Sequence, residues 1–310
     1  MTHYSYTRYD KNEDLQTLID VVSQRPPERI ADYPSAVDLH EMLGIPEPEA
    51  VITVWRDESQ AVVGFAMLDE QDLRFDLLPS DNTELALEIV AWATNWVQSQ
   101  ANPNQTEVNL TTGCVSNNTI RLALLKQLGF EVQDGFTWYY SRSLSKPIPD
   151  PKLPAGFTIR PLAGETEVEA HVMLHRAAYG TENMTVAYRL SMMQAPDYIP
   201  ELDLIAVAPN GQLAAYTMGQ ISEQENALSS RKEGLTDPVA THPDYQGRGI
   251  AKALILTGLK LLQQQGMETA NLGTWHENIA MQRTAEAAGF EKTGKGLFFR
   301  KSVPIDKGAE

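Results

Sequence analysis

The sequence predicts a mixed α/β chain, of the α+β type, built from two similar units. Strand-like and helix-like patterns alternate along the 310 residues, and the order found before residue 146 is repeated after residue 156. Between them, four prolines lie within Pro147 to Pro154. Proline fixes φ and removes a backbone donor, so this spacing favours a stiff extended linker. The predicted organisation is a unit over 1–145, a linker over 146–156 and a second unit over 157–310.

The first unit is predicted from local apolar patterns and capping residues. Two β-branched segments, 51–55 and 61–65, predict a β-hairpin. Ser80, Asp81 and Asn82 precede a long segment with apolar residues at helical spacing, and such residues are suited to cap a helix. The other predicted elements are a helix starting near Asn12, strands at 108–111 and 136–140, and a helix from Asn118 to Leu128 closed by Gly129.

The second unit is predicted to follow the same order. A hairpin is expected from strands at 204–207 and 213–217, because Pro209-Asn-Gly211 between them favours a turn. The other predicted elements are a strand at 157–160, a helix at 165–179, a strand over 239–241, a helix from about Ile250 to Gly266, a strand at 269–273, a helix from Asn278 to Ala288 closed by Gly289, and a strand at 297–300.

The most specific motif in the chain reads THPDYQGRGIA over residues 241–251. Gly247 and Gly249 remove side chains where the backbone must bend, so several amide N–H groups can point into one concavity. The helix is expected to start at about Ile250, where its first amides have no intrahelical partners. Free amides and the positive end of the helix dipole favour a bound anion, especially a phosphate.

This turn fits neither the GxxxxGK[ST] loop nor the GxGxxG fingerprint. It resembles the Q/R-x-x-G-x-G/A signature of the GCN5-related N-acetyltransferases, the GNAT family, with Gln246, Gly249 and Ala251 in place. In that family the turn holds the pyrophosphate of acetyl-coenzyme A. The resemblance implies acetyl-CoA as acyl donor, bound by Val239, Ala240, Thr241, Gln246, Gly247, Arg248, Gly249, Ile250, Ala251 and Asn278.

Asn278 adds a second, separate resemblance. It stands eleven residues before Gly289-Phe290, as in the N-x(10)-G-F pattern of the family, whose Asn bonds the pantetheine arm of the cofactor. The alternative is that Asn278 only caps its helix. Asn118 has the same spacing to Gly129-Phe130. The chain is therefore similar to a tandem GNAT pair, which implies in each unit a twisted, mixed and largely antiparallel sheet flanked by helices.

The two units differ where the phosphate cradle is expected. No glycine occurs between Gly64 and Gly113, and the segment corresponding to 246–251 falls near Asp81 to Glu88. Asp81 and Glu84 suit the N-terminus of their own helix but repel a pyrophosphate. We therefore expect a degenerate first unit, a catalytic second unit, and one CoA per chain.

The resemblance implies direct attack of an amine on the thioester. The protein must then deprotonate an ammonium, polarise the carbonyl with a backbone N–H of strand 239–241, and assist the leaving thiolate. The usual family Tyr is replaced by Ala285, so Tyr245, Tyr216, His242 or a water are the alternatives for the acid. Glu233 is the preferred base and Asp237 the alternative, and either requires a raised pKa.

Composition limits the partners. The formal charge of −16 argues against nucleic acid and favours a cationic small molecule such as an amine. One cysteine, Cys114, excludes an internal disulfide and a cysteine-based zinc site, and adjacent His276 and Glu277 do not make a metal site. No apolar run reaches membrane-spanning length and no signal pattern opens the chain, so no membrane association and a cytoplasmic monomer or homodimer are expected.

The predicted function is an acetyl-CoA-dependent N-acetyltransferase acting on a small primary amine, with no metal. A CoA-binding or sensing protein without chemistry is the alternative that Ala285 leaves open, and an interaction module with a relic site is a third. The acceptor is expected at loops 178–182 and 192–198, where Tyr179, Met192 and Tyr198 are candidate lining residues.

Overall fold

We describe the protein from a computed structural model, which covers residues 4–23, 34–43, 50–102 and 104–305. The chain forms two compact units, one of residues 1–136 with 294–310 and one of residues 137–293. Each unit combines a mixed sheet with helices, which confirms the predicted fold class.

In the first unit, the sheet order is β1-β2-β3-β4-β5-β12. Neighbouring strands are antiparallel except β4 and β5, which are parallel and share the register pair Asp72 with Thr111. The elements are β1 (Ser5–Arg8), α1 (Lys11–Ser23), α2 (Ala36–Leu43), β2 (Val51–Arg56), β3 (Val62–Asp69), β4 (Asp72–Leu77), α3 (Thr83–Ser99), β5 (Glu107–Val115), α4 (Thr119–Gln127) and β12 (Glu291–Pro304).

In the second unit, the sheet order is β6-β11-β10-β9-β8-β7. Here the parallel pair is β10 with β11, and the other neighbours are antiparallel. The elements are β6 (Glu131–Ser143), β7 (Thr158–Pro161), α5 (Val168–Tyr179), α6 (Val186–Gln194), β8 (Asp203–Val207), β9 (Leu213–Gln220), α7 (Glu223–Ser229), β10 (Glu233–Thr241), α8 (Ile250–Gln264), β11 (Thr269–Trp275) and α9 (Ile279–Ala287).

The two cores follow from the apolar faces of the helices. In the first unit, Leu85, Ile89 and Ala93 of α3 are buried in one cluster with β4 and β5, while a separate cluster includes α1 and α2 with β2 and β3. In the second unit, α8 supplies Ile255 and Leu259 to a cluster with β11 and α9. Such apolar stripes at helical spacing are what bind a helix to a sheet.

A repeat of one segment relates the two halves of the sequence. Helix α4 spans Thr119–Gln127 and α9 spans Ile279–Ala287, so both ends differ by 160 positions (279 − 119 and 287 − 127). Their caps, Asn118 and Asn278, differ by the same number. The predicted internal repeat is thus present in the fold with no insertion across this helix.

The compact units nevertheless differ from the predicted boundaries 1–145 and 157–310. Residues 137–143 of β6 pair with β11, and residues 296–304 of β12 pair with β5, so each half of the sequence contributes its last strand to the other unit. The predicted linker does not separate the units either. It runs along the second unit, where Arg142 Nη2 donates to Pro147 O and Lys260 pairs with Asp150.

Among the elements that the structure describes, five were not predicted: β1, α2, β4, α6 and α7. In β4, charged residues alternate with buried Leu73, Phe75 and Leu77, a period-two pattern that identifies a strand with one buried face. Helix α6 starts after Thr185, whose hydroxyl accepts from Tyr188 N. Among the residues described, no helix is both long and apolar enough to cross a membrane.

The strand exchange predicts which fragment of the chain is stable. Fragment 137–293 keeps Tyr140 and Leu144, which are buried in the core of the second unit, whereas fragment 157–310 lacks both. Losing these two side chains costs on the order of 3 to 6 kcal/mol of burial. We expect fragment 157–310 to melt about 10 °C or more below fragment 137–293, measured by circular dichroism. Equal melting temperatures would contradict the exchange.

Candidate functional site

The glycine turn leaves an open, uncapped helix N-terminus. Gly247 and Gly249 have φ of +74° and +80°, and a Cβ built at either position meets no atom within 4 Å. Gly249 is the N-cap of α8 and provides no side-chain cap. The first bond from the helix back to the turn is Ala253 N to Gly249 O, 3.1 Å. Within the described chain, the amides of Ile250 and Ala251 therefore have no assigned acceptor and can bind an anion.

Polar contacts hold the turn in this shape. Gln246 Nε2 donates to Thr241 O at 3.2 Å, and Arg248 Nη2 donates to Asp244 O at 2.9 Å. His242 accepts from Asp244 N at 3.2 Å through Nδ1 and so caps the short 3-10 turn at Pro243–Tyr245. The imidazole predicted as a possible acid is therefore engaged in supporting the turn.

Tyr245, one of the predicted catalytic residues, also supports the turn. Its hydroxyl donates to Gln212 Oε1 at 2.7 Å, and its ring meets Phe157 edge-on with centroids 5.7 Å apart. These contacts bind the turn to the β8–β9 hairpin and to the residue just before β7. The structure therefore directs the Tyr245 hydroxyl to the hairpin and favours other groups for proton transfer.

Strands β10 and β11 separate within the second unit. Their parallel register runs from Glu233 with Thr269 to Leu235 with Asn271 and stops there. The pairing of β10 with β9 shifts between Thr236 and Val239, so a bulge contains the two residues between them. Beyond it, residues 239–241 continue to pair with β9 while their other edge has no β11 partner in the described register. Backbone groups on that edge are available to a ligand.

Asp237 lies in this bulge. Its Oδ2 accepts from Gly273 N on β11 at 3.4 Å, so its carboxylate faces the gap between the strands. Burial raises the pKa of Asp237 to about 6, against the opposing effect of the Gly273 amide. A general base works best with a pKa near the operating pH. Asp237 therefore has both the position and the ionisation expected of a base.

Glu233, the preferred base from the sequence, is placed less favourably. It opens β10, where the two strands are still paired. Its carboxylate accepts from Asn271 Nδ2 at 3.1 Å and lies 3.6 Å from Arg231 Nη1. The Glu233 side chain is thus engaged by its neighbours at the end where the two strands are still paired. The structure thus favours Asp237, the alternative that the sequence left open.

Tyr216, the third predicted catalytic residue, belongs to a cluster beside Asp237. It is only 1% exposed, and its hydroxyl lies 2.6 Å from His175 Nδ1. Burial raises the pKa of Tyr179 to about 12, and the negative charge of Asp237 adds to the effect. Burial also raises the pKa of Tyr216, with the negative charge of Asp237 adding to the effect. Both phenols therefore remain protonated at neutral pH.

Helix α5 supplies the part of this cluster that the sequence analysis missed. His171, His175 and Tyr179 follow at intervals of four and occupy one face of the helix. The ring of His171 lies 4.4 Å from that of Tyr216, and the ring of His175 lies 4.6 Å from that of Tyr179. This i, i+4, i+8 spacing of titratable side chains was the available signal. That spacing could not indicate Tyr216, because this member of the cluster lies 41 positions beyond His175 in the sequence.

Buried polar residues lie behind the cluster. Arg189 and Asp203 form a buried ion pair, and Tyr198 donates to the same carboxylate oxygen at 2.6 Å. Met192 is buried in an apolar cluster with Val168 and Met218. Of the three side chains expected to line the acceptor pocket, Tyr198 and Met192 thus have structural contacts. Tyr179 is 47% exposed.

Asn278 caps its helix and also keeps a group that can bind a ligand, the two roles considered for it in the sequence. Its Oδ1 accepts from Met281 N at 3.0 Å and caps α9, while the residue itself is exposed. The amide nitrogen, for which the described chain offers no recorded acceptor, remains able to donate to a ligand. Ala285, at the position of the usual family Tyr, is fully buried in the core against Phe290.

The first unit is built differently at the equivalent places. Asn82 caps α3 by accepting from Leu85 N at 3.1 Å, so a side chain occupies the helix end that Gly249 leaves open. Where β4 and β5 separate, Arg121 donates to Phe75 O at 3.0 Å and to Gly113 O at 3.4 Å, one acceptor on each strand. The residue 160 positions later is Met281, which cannot make these bonds. These contacts support a first unit without a CoA site.

His276 and Glu277, the adjacent pair weighed as metal ligands, interact with Trp275. The Trp275 indole donates to Glu277 Oε2 at 3.2 Å, and its ring lies 4.7 Å from that of His276. In the described parts of the chain, no three His, Cys, Asp or Glu side chains are grouped so that they could hold a metal ion.

The chain is similar to known acetyltransferases. Residues 172–290 match the model of the Acetyltransferase (GNAT) family. A mycothiol acetyltransferase of Salinispora arenicola is 26% identical over 308 residues, 96% of this chain and 96% of the relative. A mycothiol acetyltransferase of Salinispora tropica is 29% identical over 160 residues, which cover 50% of this chain and 51% of the relative.

Two solved structures resemble the whole chain. A GCN5-related N-acetyltransferase from Sphaerobacter thermophilus has a TM-score of 0.66 at 21% identity, covering 97% of this chain and 96% of that one. A tandem GNAT protein from the clavulanic acid biosynthesis pathway has a TM-score of 0.70 at 16% identity, covering 99% and 100%. At these identities the likeness concerns the fold, and it agrees with the tandem GNAT-type architecture expected from the sequence.

Replacing Gly249 tests the cradle. We expect Gly249→Glu to abolish CoA binding, because a carboxylate there adds bulk and negative charge at the anion site. The left-handed φ costs about 1 to 2 kcal/mol for any L side chain. Gly266→Glu is the matched control, since Gly266 follows the other end of α8 with φ +83° and equally open space. Calorimetric titration with CoA should show loss for Gly249→Glu alone, and equal affinity in both variants would contradict the cradle.

A second prediction is one CoA per chain. Asn82 and Arg121 fill the places in the first unit that correspond to the open turn and the strand gap of the second. We expect a calorimetric stoichiometry near one for the wild type, and none for Gly249→Glu. If the first unit also bound CoA, the Gly249→Glu protein would still bind about half as much CoA as the wild type. In that case Arg121→Ala would leave the number of CoA sites per chain unchanged.

Proposed function

We propose that this chain, whose residues 172–290 belong to the GNAT family of acetyltransferases, transfers the acetyl group of acetyl-CoA to the primary amine of a small molecule by direct attack. The single observation that carries the proposal is Asp237. Its carboxylate faces the gap between β10 and β11 with a pKa raised to about 6 by burial. An ammonium can be deprotonated there, next to the backbone that the cofactor is expected to use.

The residues present fit acetyl-CoA. The glycines of the turn keep side chains away from the start of α8, and the amides of Ile250 and Ala251 are free for the pyrophosphate. We propose that the exposed Asn278 amide donates to the pantetheine arm, and that this arm lies along the unpaired edge of residues 239–241. When bound, acetyl-CoA supplies an acetyl group activated as a thioester.

The chain's own groups then have separate tasks. Asp237 takes one proton from the ammonium, which makes the nitrogen a nucleophile. A backbone N–H of residues 239–241 donates to the thioester oxygen as negative charge develops there, a contribution of several kcal/mol in comparable sites. The bulge at Asp237 joins these tasks, because the same irregularity places the carboxylate and frees the strand edge.

The acceptor is proposed to be cationic before reaction. The chain carries a formal charge of −16, which attracts a protonated amine over longer distances. A relative that matches 96% of the chain is named a mycothiol acetyltransferase, so a mycothiol-type amine is the first acceptor to test. We further propose that residues 1–145 serve as a degenerate GNAT-like partner of the catalytic half. A cytoplasmic monomer or homodimer remains our expectation.

Replacing Asp237 tests this function. Asp237→Asn should lower kcat/KM about 10²-fold or more while leaving CoA affinity unchanged, because positioned proton transfer contributes on that scale. Wild-type activity should rise with pH through about 6, as Asp237 loses its proton, and this acid limb should vanish in the variant. Thiol release from acetyl-CoA with a panel of primary amines is the measurement.

Glu233→Gln is the matched control. It changes a carboxylate on the same strand, four residues earlier, which is held by Arg231 and Asn271. We expect nearly wild-type turnover from it. Loss of activity in Glu233→Gln with full activity in Asp237→Asn would reverse the assignment. A wild type that binds CoA but releases no thiol with any amine would favour a binding or sensing role.

A further inference from the structure

We propose that Gln282 is a positioning residue for the cofactor, and that its side chain holds residues 275–278, the Asn278 turn, in the shape that the pantetheine arm requires. The inference rests on the proposed binding of acetyl-CoA to the second unit. Gln282 lies in α9, four residues after Asn278, and the sequence indicated no role for it.

The Asn278 turn lies at the edge of the sheet where the cofactor is expected. It begins at Trp275, the last residue of β11. Two positions earlier, Gly273 N donates to Asp237 Oδ2 on β10. Because β10 and β11 are parallel, their carboxyl ends, which lead to the glycine turn and to the Asn278 turn, reach the same edge of the sheet. Ligands commonly bind outside the carboxyl ends of parallel strands.

The backbone of the turn sets the direction of the Asn278 side chain. Asn278 N donates to Trp275 O at 2.9 Å and closes the turn, and Ile279 N donates to Glu277 O at 2.8 Å. Asn278 Oδ1 accepts from Met281 N at 3.0 Å as the helix cap. With Oδ1 engaged in the cap, the direction in which Nδ2 can donate follows from the position of the turn.

Gln282 binds the turn through both its side chain and its backbone. Its Nε2 donates to His276 O at 2.7 Å and lies 3.4 Å from Trp275 O. Its backbone N donates to Asn278 O at 3.1 Å. Gln282 is only 7% exposed, so water has little access to replace these bonds. One buried side chain therefore restrains two consecutive peptide groups just before Asn278.

The first unit forms the same turn without such a side chain. Asn118 N donates to Val115 O at 3.1 Å, and Leu122 N donates to Asn118 O at 3.0 Å, as their counterparts do 160 positions later. Leu122 stands where the second unit has Gln282, and it packs against the apolar core. A glutamine is thus not required to form the turn. Its additional bonds fit a turn that must keep its shape while it binds a ligand.

The two asparagines also differ in access. Asn118 is 7% exposed, whereas Asn278 is exposed. The turn that Gln282 restrains is therefore the one whose amide a ligand can reach. A group that is ordered before binding loses less conformational entropy when the ligand arrives, and this raises affinity.

Replacing Gln282 provides the test. Gln282→Met removes the donor and keeps nearly the same side-chain volume. We expect it to lower the affinity for CoA about 5- to 10-fold, the scale of a neutral hydrogen bond, as measured by calorimetric titration. Adenosine 3′,5′-bisphosphate, a nucleotide part of CoA without pantetheine, should bind the wild type and the variant equally when titrated in competition with CoA.

Two further variants separate positioning from a general effect on the fold. Gln263→Met is the matched control, because Gln263 Nε2 also donates to a backbone oxygen of the second unit, that of Leu144. It should leave CoA affinity unchanged. Asn278→Asp keeps the cap oxygen and removes the amide donor. In that background, Gln282→Met should cause no further loss, because Gln282 acts through Asn278.

A second readout needs no ligand. Amide hydrogen exchange at Asn278 and Ile279 should be faster in Gln282→Met than in the wild type, because their acceptors belong to the restrained turn. The Asn118 amide, which makes the corresponding bond to Val115 O, is the internal reference and should not change.

The possible results separate this inference from the proposed function. Wild-type CoA affinity in Gln282→Met, equal losses for CoA and the bisphosphate, an undiminished loss in the Asn278→Asp background, or unchanged exchange at Asn278 each overturn the inference, while the proposed function stands. A wild type that binds CoA but transfers no acetyl group overturns the proposed transfer, and the same titrations still decide this inference. A wild type that binds no CoA overturns both.

Discussion

The separation of β10 from β11 is the constraint on which the site depends. Paired parallel strands leave no backbone group for a ligand, but here the pairing stops at Leu235 and Asn271. The bulge that follows changes the register of β10 against β9 and turns Asp237 into the gap. The remaining residues of β10 then lead directly into the glycine turn. One irregularity thus places the base, an unpaired edge and the anion cradle along a single segment.

In the two units, a few side chains determine whether the helix start and the strand gap are open or occupied. An N-cap such as Asn82 stabilises a helix by about 1 kcal/mol, and Gly249 forgoes a side-chain cap at the corresponding end of α8. In the strand gap, Arg121 donates to carbonyls on both strands, whereas Met281, 160 positions later, has no donor group for such bonds. The second unit, which lacks these two side-chain hydrogen-bonding groups at the corresponding positions, is the one with Asp237 in its strand gap. Departures from local rules are expected where a site binds a ligand.

The structural features that could be predicted from the sequence are those that local signals determine. The start of α8 at Ile250, the Asn118 and Asn278 caps and the alternation of strands and helices all depend on residues close together in the chain. The strand exchange could not be predicted, because it depends on pairing between segments far apart in sequence.

The choice between two carboxylates on β10 was equally inaccessible. Glu233 and Asp237 look alike in sequence, and they differ because the bulge buries Asp237 while Arg231 and Asn271 hold Glu233. Likewise, Tyr245 and Tyr216 are both aromatic residues near the motif. The structure distinguishes them, because the Tyr245 hydroxyl donates to Gln212 of the hairpin whereas the Tyr216 hydroxyl lies beside His175.

The raised pKa of Asp237 and the buried ion pair of Arg189 and Asp203 are separate electrostatic features of the second unit. Burial raises the pKa of Asp237, and the Gly273 amide opposes it. The Asp203 carboxylate is instead paired with the Arg189 guanidinium and accepts from the Tyr198 hydroxyl. Burial lowers the pKa of His171 and His175, and the charge of Arg189 lowers both further. Of the two aspartates, Asp203 is thus held by a buried cation, and Asp237 has the raised pKa that a general base needs.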